Sequence, residues 1–363
     1  MNDNSFIALL QVVAGKRDTF TAVPDSQESW RHLLDLVAEH GLLGVTFSTI
    51  KDLRAQGIDF PREVFIPWGL AENEIVRRNQ RQREAIADLY RQFLENGFSS
   101  CLLKGQSSGA YYPDPFLRQS GDIDLWARGS RQDVLSFLEN RYSVRHVVYH
   151  HCDAKIFKDI PVEVHFTPTW MNSPFANRRL QKWFATQADE QFSRYDAALG
   201  YCTPTCSFDG VFLLVHIVRH VLDEGIGLRQ LMDYFYLLQH LTEEDRLSVA
   251  HTLKRLGLLR FTGAVMYVLH EVFLMDTQFM LCRPDSKRGA FLLEEIIRSG
   301  NFGHSDDRNE HSPEEGVLAH GWRKIKRNLR FFRLCPSEVL WSPCFMVWQY
   351  FWRRKNGYLY KGR

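Results

Sequence analysis

The fold is decided by two short runs, Leu103-Lys104-Gly105-Gln106-Ser107-Ser108-Gly109 and Arg118-Gln119-Ser120-Gly121-Asp122-Ile123-Asp124-Leu125. Residues 100–103 read as a buried strand and residues 122–126 as a second, since the period there moves from 3.6 towards the two of a strand. Residues i and i+2 of a strand project from one face, so Asp122 and Asp124 are presented together. Two carboxylates held that close repel unless a cation sits between them. Mg²⁺ takes oxygen ligands and commonly keeps one or two carboxylates beside substrate phosphates. The bare pair is a weak signal, because a chain this long holds about one Asp-x-Asp by chance. The first run adds weight. A strand ending in Gly105 and followed by Ser107, Ser108 and Gly109 leaves backbone N–H groups open to an anion, and residues 108–112 start a helix whose positive end faces the same place. No GxxxxGK[ST] occurs, which excludes a P-loop.

Upstream, the first hundred residues are helical. Trp30, Leu33, Leu34, Leu36 and Val37 recur at helical spacing, and a long polar helix over residues 71–94 stops at Asn96-Gly97. Downstream, Ser130 caps a helix over 132–140. Residues 144–151, 155–158 and 162–166 then read as strands, the last two joined by a tight turn at Asp159-Ile160-Pro161. In the last strand Glu163 and His165 share the face opposite Val162, Val164 and Phe166. If that strand lies beside the Asp122–Asp124 strand, three carboxylates converge, and paired metals there would activate a hydroxyl and stabilise a leaving pyrophosphate. Helical periodicity returns over 211–222, 228–241, a helix capped at Thr242, and 258–274, while residues 299–317 are polar and read as an exposed linker. The predicted fold class is α+β: a small mixed β-sheet with helices, flanked by N- and C-terminal helical segments. Its parts are a helical region (1–98), an α/β core (99–200), a helical domain (201–298), and a linker with a basic aromatic tail (299–363).

Composition narrows the class. With 45 Lys+Arg against 43 Asp+Glu, 45% hydrophobic and 24% charged residues, the 363-residue chain is globular and excludes extensive disorder and a wholly basic nucleic-acid binder. The average conceals residues 318–363, where eleven Lys/Arg stand against Glu338 alone. That segment interleaves aromatics with its basic residues, as RNA contact or binding to an anionic surface requires; a terminal helix packed on the core explains it as well. The seven cysteines contain no CxxC pair, which argues against a disulfide or zinc framework and for reduced thiols in the cytosol. The N-terminus carries acid before its apolar run and reads as a first helix, not a signal peptide. No run approaches ~18 apolar residues, so a soluble cytoplasmic protein without a membrane span is expected.

Other candidates surround the pair. Lys104 and Arg118 flank it and suit neutralising a triphosphate; Arg118 equally suits pairing with Asp114 or Asp122. His216 and His220 have the i, i+4 spacing of two metal ligands, yet without HExxH they also fit a hydrogen-bonded helix face. His150-His151 reads as a satisfied or solvent-facing pair, and His165 as a partner of Glu163 or a nucleotide contact. Gly225-Ile226-Gly227 with Arg229 either lines an acceptor pocket or is a helix–helix turn.

Taken together, Leu103-Lys104-Gly105, Tyr112-Pro113-Asp114-Pro115 and Arg118-Gln119-Ser120-Gly121-Asp122-Ile123-Asp124-Leu125 resemble the DNA-polymerase-β-like nucleotidyltransferase superfamily, and within it the bacterial group of uncharacterised nucleotidyltransferases. The likeness spans residues 30–290, with His216, Gly227-Leu228-Arg229 and Asp233 in the helical half. It implies Mg²⁺-dependent transfer of a nucleoside monophosphate from an NTP such as ATP to a hydroxyl-bearing acceptor. By resemblance Gly105 and Ser107 form the phosphate turn with Lys104 and Arg118 beside it. Asp122 and Asp124 hold two Mg²⁺ ions, and Glu163 is the third carboxylate, binding metal or activating the acceptor. The turn reads Gly105-Gln106 where the wider superfamily has Gly-Ser or Gly-Gly. The acceptor stays open among a small molecule, a sugar or peptide intermediate, RNA and a protein, because fold does not fix substrate. Two other readings remain: a non-catalytic or regulatory nucleotide-binding module that recruits a partner, and a surface-binding protein acting through residues 318–363.

Overall fold

The computed structural model describes residues 4–301 and 317–358. Most of the expected linker (302–316) and the last five residues of the basic tail lie outside the described residues. Four helices come first: α1 (Asn4–Val13), α2 (Gln27–Glu39), α3 (Leu43–Ala55) and α4 (Arg62–Glu95). The sheet strands are β1 (Ser100–Leu103), β2 (Ile123–Ala127), β3 (Ser143–Arg145), β4 (His151–Lys155) and β5 (Val162–His165), with α5 (Gln106–Gly109) after β1 and α6 (Arg131–Glu139) after β2. There follow α7 (Pro174–Ser193), a small ladder β6 (Tyr195–Asp196) and β7 (Tyr201–Cys202), α8 (Cys206–Asp223), α9 (Leu228–His240), α10 (Glu243–Arg255), α11 (Leu259–Phe273), α12 (Ser286–Ser299), α13 (Val317–Arg330) and α14 (Pro336–Lys355).

The strands order as β1-β2-β5-β4-β3. Only β2 and β5 run parallel, with Asp124 opposite Glu163 and Trp126 opposite His165. The alternation of these two strands separates two environments. Ile123, Leu125, Ala127, Val162 and Val164 face a core built with Ile86, Leu89 and Phe93 of α4 and Val134 and Leu138 of α6. Each Ile, Leu, Val or Phe side chain withdrawn from water there contributes about 1.5–3 kcal/mol, so a one-residue slip of either strand is prohibitive. The opposite face carries Asp124, Glu163 and His165, and Trp126 anchors it among Phe192 and Phe208 at ring distances of 4.5 and 5.8 Å. A second apolar cluster joins the N-terminal helices to α8, α9 and α11, and Gln11 of α1 donates to the carbonyl of Glu271 in α11.

The α+β class and the β1, β2, α6 and α10 assignments hold. Ser130 accepts from the N–H of Asp133 as the cap of α6, and Thr242 with Asp245 closes a capping box on α10. Three readings are corrected. The long polar helix starts at Arg62, before Pro67, because its first turns pack on α3: a Cβ at Gly69 would meet the Phe47 ring at 2.8 Å. The strand expected over 144–151 ends at Arg145, since His146 takes φ +47° and breaks the extended run. Pairing resumes at His151, so β4 ends at Lys155, the turn into β5 occupies residues 156–161 and no strand covers 156–158. Helices α7 and α12 were not foreseen, and α14 continues through Pro343.

Candidate active site

Where β1 ends, Lys104 and Gly105 adopt φ +45° and +55°. Gly105 takes this region at little cost, whereas Lys104 carries strain of about 1–3 kcal/mol. The kink sends the Lys104 ammonium to Asp124 Oδ1 at 2.7 Å. Gln106 is the anchor of this turn. Its buried side-chain amide donates to Asn79 Oδ1 (2.8 Å) and Ser120 Oγ (3.2 Å). Asn79 in turn donates to the carbonyls of Phe116 and Arg118, and Gln82 to that of Gly121. The polar character of α4 is therefore structural in part: two buried amides clamp the loop that delivers Asp122.

That loop is also tied to the helical half. Arg118 makes a two-pronged ion pair with Asp233 of α9 at 2.7 and 2.6 Å, both side chains about 5% exposed. Tyr112 donates to the same carboxylate at 2.7 Å. The partner of Arg118 is thus Asp233 rather than Asp114 or Asp122. Arg229 donates to the carbonyl of Gln119 from one turn further back on α9.

These elements enclose a cavity of about 310 Å³ lined by Lys104, Gly105, Arg118, Asp122, Asp124 and Glu163, together with five histidines. Ser107 is buried outside it, its backbone N–H bonded to the carbonyl of Lys104. His165 Nε2 lies 3.0 Å from Asp124 Oδ1 and 3.5 Å from Glu163 Oε2. Burial disfavours a charged His165, but the two carboxylates outweigh it and raise the imidazole to about 9. Burial likewise opposes the charge on Glu163, yet His165, His151 and Lys104 hold its carboxyl at about 2. Asp124 is held below the ordinary carboxylate value against burial, chiefly by Lys104 and His165. Burial lowers His151 to about 4 and His150 well below its usual value, so both are neutral at pH 7. His216 and His220 share a 2.8 Å hydrogen bond across one turn of α8, and His220 Nδ1 lies 2.8 Å from Glu224. Gly225 to Gly227 is a helix–helix turn, and Arg229 just beyond it lines the cavity.

Asp124, Glu163 and His165 offer ligand atoms all within 4.8 Å of one another, while Asp122 lines the cavity outside that tight group. The donor set suits Mg²⁺: Asp122, Asp124 and Glu163 open on one cavity, with Asp124 and Glu163 fixed in register by a parallel ladder. His150, His151 and His165 form a second such group. Sequence reasoning missed Trp170, Arg219 and Asp223 on the far wall. Trp170 packs at a tilt against His150 with ring centres 3.8 Å apart, and the Arg219 guanidinium sits 4.1 Å from the Trp170 ring centre. No local motif signals them, because the loop and the helix that bring them together are about fifty residues apart in the chain.

A model of the family described as uncharacterised nucleotidyltransferase matches residues 26–274, a span that contains every residue of the cavity. No curated protein and no solved structure matches the chain.

Proposed function

Since this chain belongs to the uncharacterised nucleotidyltransferase family, we propose that it moves a nucleoside monophosphate from an NTP to a hydroxyl-bearing acceptor with Mg²⁺. One observation carries the reading: the parallel β2–β5 ladder sets Asp124 opposite Glu163 on the cavity face, beside Asp122. In this proposal Asp122, Asp124 and Glu163 hold the magnesium, which when bound neutralises the polyphosphate and lowers the pKa of a coordinated hydroxyl. Lys104 supplies a permanent positive charge at the carboxylates, burial notwithstanding, because Asp124, Asp122 and Glu163 keep it protonated. Gly105 brings backbone close to the phosphates. Arg118, engaged by Asp233, acts by positioning the Asp122 loop, and Arg229 lends further charge to the same wall. Glu163 Oε2, 3.5 Å from His165 Nε2, takes the proton of the acceptor hydroxyl as that oxygen attacks and releases it to solvent through the open cavity. Seven free thiols support a reducing, cytoplasmic setting.

A second reading has its own observation. Asp124 Oδ1 already receives Lys104 and His165, so the carboxylate serves as an internal counter-ion and the fold as a nucleotide-responsive module. Incubating the protein with labelled NTPs, Mg²⁺ and cell extract separates the two. The enzyme reading expects label on one acceptor, lost with Asp122→Ala and Asp124→Ala. NTP binding without any labelled product favours the module.

A further inference from the structure

Sixteen large apolar side chains are exposed among the described residues, and eight of them fall within residues 322–351. Their arrangement is ordered. On α14 Leu340, Cys344, Val347 and Phe351 are exposed at steps of four, three and four, a single stripe that runs on to Arg354. At 1.5 Å per residue the apolar part is about 16 Å long. On α13 Trp322, Lys326, Leu329 and Arg333 repeat the same steps, Arg333 lying just past the end of the helix.

The opposite sides of both helices are fixed to the body of the protein. The buried Glu338 carboxylate accepts the backbone N–H groups of Asn172 and Ser173 at the start of α7, and Asn172 donates to the Glu338 carbonyl. Arg327 donates to the carbonyls of Val221 and Leu222 at the end of α8. Phe345 stacks on Trp170, a wall residue of the cavity, at 6.0 Å. The stripe is therefore held rigidly, facing away from the core, on a hairpin that touches the cavity rim.

Charge selects what covers it. From Trp322 to Lys355 the only acidic residue is Glu338, and it is buried, whereas Lys326, Arg333, Arg354 and Lys355 are exposed. A second copy would bring like charge against like. An RNA strand would use the aromatics for stacking but gain nothing from Leu340 and Val347. Aliphatic side chains flanked by aromatics and cations fit the boundary between lipid headgroups and acyl chains. We infer that the α13–α14 hairpin docks this protein on an anionic membrane surface, lying in the interface without crossing it, with the cavity held at a fixed height above the lipid. Among the described residues no helix is long and apolar enough to span the bilayer. The inference stands apart from what the cavity catalyses.

The test is cosedimentation of the full chain with phosphatidylcholine vesicles prepared with and without phosphatidylglycerol. The protein is expected to pellet with the anionic vesicles, less so in high salt, and to stay in solution with phosphatidylcholine alone. A variant carrying Leu340→Asp, Val347→Asp and Phe351→Asp is expected to bind about tenfold or more weakly with an unchanged unfolding midpoint, because all three side chains are exposed. Arg354→Gln with Lys355→Gln is expected to weaken binding to the anionic vesicles and to make what remains less sensitive to salt. Four results overturn the inference. They are no pelleting with anionic vesicles, pelleting that the triple variant retains, a lowered midpoint in that variant, which means the chain itself covers the stripe, and a concentration-dependent dimer that the same variant abolishes.

Discussion

Replacing Asp233 by Asn removes one charge from a buried ion pair. Arg118 and Asp233 meet through two hydrogen bonds with both side chains about 5% exposed, and Tyr112 adds a third bond to the same carboxylate. Burial penalises the charge on Arg118, and Asp233 keeps that guanidinium protonated against the cost of desolvation. Asp233→Asn leaves that guanidinium buried without its counter-charge, which costs about 3–5 kcal/mol. Tyr112→Phe removes one neutral donor from a carboxylate that still has Arg118, and costs about 1.5–3 kcal/mol. Arg118→Met with Asp233→Leu removes both charges and restores apolar contact, so it costs less than the sum of its single changes. Urea unfolding of Asp233→Asn, Tyr112→Phe, Arg118→Met, Asp233→Leu and the double variant, with midpoint and slope both fitted, measures these differences. A cost below about 1 kcal/mol for Asp233→Asn, or strict additivity in the double variant, would refute the argument that the pair is a desolvated bracket between the α/β core and α9.

Other outcomes follow from single contacts. Gln106→Ala strips partners from Asn79 and Ser120 and is expected to cost about 1–3 kcal/mol in unfolding free energy; no change would mean the amide clamp does not hold the turn. Asp209 is fully buried, its carboxyl raised to about 7 by burial, with Tyr111 donating to it at 2.8 Å. The folded protein keeps this proton where the unfolded chain releases it, so stability falls as pH climbs from about 4 to 7, by at most about 4 kcal/mol. Asp209→Asn should flatten that decline in urea titrations at pH 5 and 8, and an unchanged slope would show the carboxyl is not the cause. Because all seven cysteines are free, dithiothreitol should leave the unfolding midpoint where it is; a drop would expose a disulfide.

What could be read from the sequence was whatever depends on neighbours in the chain. The period-two runs gave β1 and β2, and the alternation of Val162, Glu163, Val164 and His165 placed Glu163 on the face opposite the valines, where it lies. Caps at Ser130 and Thr242 were visible for the same reason. Lost were features set by distant partners. Pro67 and Gly69 look like helix breakers until Phe47 is seen packed over the glycine. Arg118 offers no hint of Asp233, which lies in another part of the chain, and Ser107 looks like a phosphate contact until the helical turn draws it into the interior. The basic tail reads as a packed helix or as a binding surface; one side of α14 is anchored by Glu338 and the other is exposed.

The central claim is that Asp122, Asp124 and Glu163 make one magnesium-dependent nucleotide site. Calorimetric titration of NTP into the protein with and without Mg²⁺, repeated on Asp124→Asn and Glu163→Gln, tests it most directly. The account predicts binding that needs the metal and weakens about tenfold or more in each variant, in line with the loss of a ligating carboxylate. Binding of equal strength in all three proteins, or binding indifferent to Mg²⁺, would contradict it.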